Sequence, residues 1–162
     1  MTMTEIYLRS HDSLNELTLR IVENIGNDSN EFIVTYLCLK GFAYDRLGAV
    51  NGKPISDSDR SDYEINLPQV VIQSDVLLKI SAALSKWQDD FESFEITMSN
   101  AFEQKMTFSL EILEDFICSK DRPVAIIRYS VHRIAIESRF VVDCSSLTEF
   151  ENELNRAITS IT

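Results

Sequence analysis

The stretch FESFEITM at residues 91–98, followed by KMTFSLEIL at 105–113, decides the fold. Phe94, Ile96 and Met98 in the first segment, and Phe108, Leu110 and Ile112 in the second, alternate with Glu95, Thr97, Ser109 and Glu111. A period of two with one apolar and one polar set is the pattern of antiparallel strands that have one covered face and one wet face. Two more strands follow, PVAIIRYSV at 123–131 and RIAIESRFVV at 133–142. Their separation leaves only a tight turn at His132–Arg133, so they are expected to form a hairpin, although neither residue is a favoured turn former.

Upstream of these strands, Val76, Leu77, Ile80, Ala83, Leu84 and Trp87 fall on one stripe of a helix, with Ser74 placed to cap it and Leu78 off the stripe. At the other end of the chain, Ser146-Leu147-Thr148-Glu149 reads as a capping box. It opens a second amphipathic helix through Leu147, Phe150, Leu154, Ala157, Ile158 and Ile161. The first third reads as strands at 5–9, 14–24 and 31–48, with a turn at Asn24–Asn30 and a bulge or bend at Gly41. Residues 48–68, GAVNGKPISDSDRSDYEINLP, are polar enough to predict a long connection, poorly ordered near Ser56–Ser61. The expected architecture is an α+β fold, a mainly antiparallel β-sheet packed against two amphipathic helices, in a single domain spanning 1–162.

A chain of 162 residues buries enough surface to fold without a metal or disulfide framework. Cys38, Cys118 and Cys144 are odd in number and widely spaced, which predicts reduced, buried thiols. The start, MTMTEIYLRSHDSLNE, lacks a basic region and an apolar core of signal-peptide length, and no run approaches a membrane span. A cytoplasmic location, with no membrane association, is the expectation.

The charge is unevenly spread. Asp89, Asp90, Glu92, Glu95, Glu103, Glu111, Glu114 and Asp115 fall within 89–115, opposed there by Lys105 alone, in a chain whose net charge is -11. Residues 118–140 answer with Lys120, Arg122, Arg128, Arg133 and Arg139 against Asp121 and Glu137. Cross-strand pairing is expected to neutralise part of the acidic set and to leave Asp89, Asp90, Glu92 and Glu103 exposed. Such a field repels phosphate backbones and draws in cationic surfaces, which points away from nucleic acid and towards a basic protein partner.

No catalytic constellation accompanies it. His11 and His132 sit in no metal-binding spacing, and Gly26, Gly41, Gly48 and Gly52 form no phosphate-binding loop. The segment from Asp57 starts like a calcium loop but has Ser61, Asp62 and Pro68 where such a loop needs a ligand, Gly and Glu. Cys144 stands before the capping box, where a helix N-terminus activates thiols, but Asp143 adjoins it and no base is placed by sequence. No cofactor and no metal are expected.

The helix ending in Trp87, the acidic strand pair FESFEITM and MTFSLEILE, and the capped terminal helix, spanning about residues 73–159, resemble immunity proteins of bacterial contact-dependent and wall-associated toxin systems. The resemblance implies a non-enzymatic cytosolic protein that binds a cognate toxin domain, often a nuclease, and occludes its active site. The carboxylates of 89–115 would then be partner-binding. The alternative is a small-ligand-binding or enzymatic α+β domain, its site assembled from residues such as Tyr36, Tyr44, His132 and Cys144.

Overall fold

A computed structural model of the protein describes residues 4–24, 32–44, 52, 56–114 and 118–161. The first half forms one antiparallel sheet of β1 (Thr4–Arg9), β2 (Glu16–Asn24), β3 (Phe32–Tyr44), β4 (Arg60–Asn66) and β5 (Val70–Gln73). Its order is β1-β2-β3, with β4 and β5 sharing the far side of β3. β3 is long enough to serve both: its first residues pair with β5 (Thr35 opposite Val70) and its last with β4 (Tyr44 opposite Arg60). One face is a continuous apolar layer, in which Leu8, Leu17, Leu39 and Ile65 lie opposite one another across four strands.

The second half forms a separate four-stranded meander of β6 (Phe94–Ser99), β7 (Gln104–Glu111), β8 (Val124–Val131) and β9 (Ile134–Val141). The alternation that predicted these strands sets their register. Phe94, Leu110, Ala125 and Phe140 form one row of the inner face, and Met98, Met106, Tyr129 and Ile136 another. Between the halves runs α1 (Ser74–Asp90), and the described chain ends in α2 (Cys144–Ile161). The helices pair antiparallel: Ser81 Oγ donates to Asn155 Oδ1 at 2.6 Å, and Gln88 Nε2 to Glu151 Oε2 at 2.7 Å. α1 packs on β5, β6 and α2, while α2 also packs on β1 and brings Phe150 against Phe108 of β7. Both sheets and both helices contribute to one buried cluster centred on residues such as Leu8, Trp87, Leu110 and Leu154. The fold is α+β, with two antiparallel sheets rather than the one expected.

Several local expectations are corrected. The polar connection 48–68 contains a 3-10 turn at Asp57–Asp59 and all of β4, so regular structure runs through residues 57–61. β4 reads as a loop because it is an edge strand with both faces largely wet, held to β3 by backbone pairing and by Ile65 opposite Leu39. The bulge of this sheet is in β2, between Ile21 and Glu23, not at Gly41. Gly41 keeps regular register opposite Tyr63, and the absence of a Cβ lets the ends of the Asn15 and Tyr63 side chains close over it, with the space a Cβ would take 2.6 Å from Asn15 Oδ1 and from Tyr63 Cζ. The turn at Asn24–Asn30 falls outside the described residues beyond Asn24, although the strands it joins do pair antiparallel.

Ser74 does not cap α1: the cap position is Gln73, which is still paired to β3 and offers no side-chain bond. Strand β5 runs directly into the helix, so no residue is free to turn back on it. α2 begins at Cys144, two residues before the expected box, because Asp143 is the better cap. Its Oδ1 accepts from the Ser146 N–H at 2.8 Å and from Ser145 Oγ at 2.9 Å. The expected hairpin at His132–Arg133 is present, with His132 at φ 51° supplying the left-handed geometry the turn demands. Of the three free thiols Cys38 is buried and Cys144 exposed, contrary to the expectation for the latter.

Candidate functional site

The residues of the acidic stretch separate along the meander. Asp89 and Asp90 are the last two residues of α1, and both are exposed. Phe91 closes the helix in the left-handed conformation (φ 54°, ψ 32°), its N–H donating to the Trp87 carbonyl at 2.8 Å and its ring set edge-on to the indole. A phenylalanine there carries strain that glycine would not. It reverses the chain sharply, so that Glu92 returns beside the helix and meets Lys86 at 2.6 Å. β6 then starts at Phe94, three residues later than the alternation alone suggested.

Glu95 and Glu111 point to the outer face of the meander, at the same end as the α1 terminus, and Glu114 lies exposed just beyond β7. Asp115 lies outside the described residues. Glu103 is elsewhere: it occupies the β6–β7 turn at φ 61°, a strand length away, where its carboxylate meets His132 Nδ1 at 2.7 Å. Six of the predicted residues therefore gather at one end of the sheet, and Glu103 does not join them.

Neutralisation across the sheet occurs as expected. Arg128 on β8 reaches Glu137 on β9 at 2.7 Å and Glu95 on β6 at 3.4 Å, and Arg139 also binds Glu137. The Arg128 hydrogen bond, then that of Arg139, holds the Glu137 carboxyl below the usual range. Glu95, Arg128 and Glu137 line a shallow depression of about 350 Å³ with Lys105, Thr107 and Ser130. The outer face of the first sheet is balanced in the same way, by Arg9–Glu16 at 2.9 Å and Arg20–Glu5 at 2.8 Å. Exposed pairs of this kind contribute about 0–1 kcal/mol each, so they set surface charge rather than stability.

The α1 terminus is different. Its carbonyls carry the negative end of the helix dipole, where cations are stabilising and carboxylates are not. No basic residue lies in its last turn, and Asp89 and Asp90 do. The antiparallel helix pair adds Glu151, which binds Gln88 and whose pKa is raised by burial and by the nearby Asp89 charge. Sequence reading missed Glu151, because it lies some sixty residues from Asp89 and only helix pairing brings the two together. Lys86 and Lys120 are the cations nearby, Lys120 lying 6.0 Å above the Phe91 ring.

No family model and no curated protein matches the chain. A solved structure titled "Structure of the plant transcriptional regulator PBF-2" is similar to it at a TM-score of 0.50 and 10% identity, over 99% of this chain and 83% of that one. The likeness is one of fold.

The residues of the alternative site are scattered. Tyr36 is on the outer face of β3, Tyr44 ends that strand, His132 is in the β8–β9 turn, and Cys144 opens α2 with its thiol towards the Asp121 carbonyl at 3.4 Å. Among the described residues no three His, Cys, Asp or Glu side chains are arranged to hold a metal ion, and no helix is long and apolar enough to cross a membrane.

Proposed function

We propose that the protein is a cytoplasmic immunity protein that binds a basic toxin domain, a nuclease by the charge argument, and occludes its active site with an acidic surface. The observation that carries this reading is the pair Asp89 and Asp90 at the dipole-negative end of α1, with no basic residue in that turn. In the isolated protein each carboxylate there is unfavourable by about 0.3–1 kcal/mol. A partner presenting Lys or Arg relieves that repulsion on binding, and the field steers it in. Glu111 and Glu114 extend the surface at the same end, where Glu92 is held in its pair with Lys86, and a nuclease must be cationic to hold phosphate. Glu95 is drawn into the Arg128 pairing and Glu103 lies at the far turns, so both contribute to the overall field more than to contact.

A role like that named for the fold neighbour, if exercised on nucleic acid, would need an unopposed basic face. Here Arg9, Arg20, Arg128 and Arg139 each meet a carboxylate, and the net charge is -11.

The test is capture of partners from the native host by the tagged protein at low and moderate salt, followed by association kinetics. A basic toxin domain should be recovered, and recovery should fall as salt rises. Asp89→Asn/Asp90→Asn should slow its association several-fold while dissociation changes less. An association rate that ignores both salt and this double substitution would remove α1's terminus from the interface.

A further inference from the structure

We draw no further inference here: the strongest candidate, the outer edge of β9 in unbroken register with β8 from the exposed Ile134 onward, meets the His11 N–H at the Val141 carbonyl, and nothing in the structure shows what covers the rest of it.

Discussion

Two helix ends lie side by side at one end of the molecule, and they obey opposite rules. At the N-terminus of α2, Asp143 puts a carboxylate where the dipole is positive and orphan N–H groups need acceptors. The Ser146 N–H bond, assisted by Ser145, holds its carboxyl below the usual range despite partial burial. At the C-terminus of α1, Asp89 and Asp90 put carboxylates where the dipole is already negative, beside Phe91 held in a conformation suited to glycine. The first end is arranged as folding alone would have it. The second departs from local preference twice within three residues, and such departures concentrate where a surface is kept for something other than stability.

Substitutions at the two ends should therefore move stability in opposite directions. Asp143→Ala removes the cap and should destabilise by about 1 kcal/mol, and up to about 2, read from denaturant midpoints. Because the folded state holds this carboxyl below its unfolded value, its contribution is present above about pH 4 and is lost as pH falls through the folded-state value. The wild-type and Asp143→Ala stability curves should accordingly converge in acid. A constant gap down to low pH would mean that Asp143 acts through packing and not through charge.

At the other end, Phe91→Gly should be more stable than Phe91→Ala by roughly 1 kcal/mol, since both lose the ring against Trp87 and only glycine loses the strain. Equal stability of the two variants would show that the left-handed cap carries no cost. Asp89→Asn/Asp90→Asn should stabilise the isolated protein by about 0.3–1 kcal/mol, an effect that shrinks in high salt. Destabilisation by this pair would place the carboxylates in the fold's own support and break the contrast. Smallest is Glu151→Gln. Burial and Asp89 push the pKa of Glu151 up in the folded state, so its ionisation costs stability above the unfolded value. The amide should raise the neutral-pH midpoint slightly, within about 0.5 kcal/mol, with no gain once the carboxyl is protonated in acid.

The strands of the meander and both helices were legible because their buried residues recur at the periods of strand and helix, and periodicity survives without knowledge of partners. β4 was not legible: Arg60–Asn66 carries little apolar signal, and it is a strand only because β3 extends beyond β5 and offers it a ladder. The acidic residues were visible as a run, but a run is not a surface. Strand length carried Glu103 to the far turns, and Arg128 drew Glu95 into a pair.

By itself, the sequence determined the α+β class, the two amphipathic helices, the antiparallel pairing of the meander and the strongly negative charge. These depend on composition and on local period, which are properties of neighbours in the chain. Only the tertiary structure decided that there are two sheets and that the α1 terminus meets Glu151. Each of these depends on which distant backbone and side-chain groups come within hydrogen-bonding or Coulombic reach, and that distance is set by the packing of the whole chain around one core.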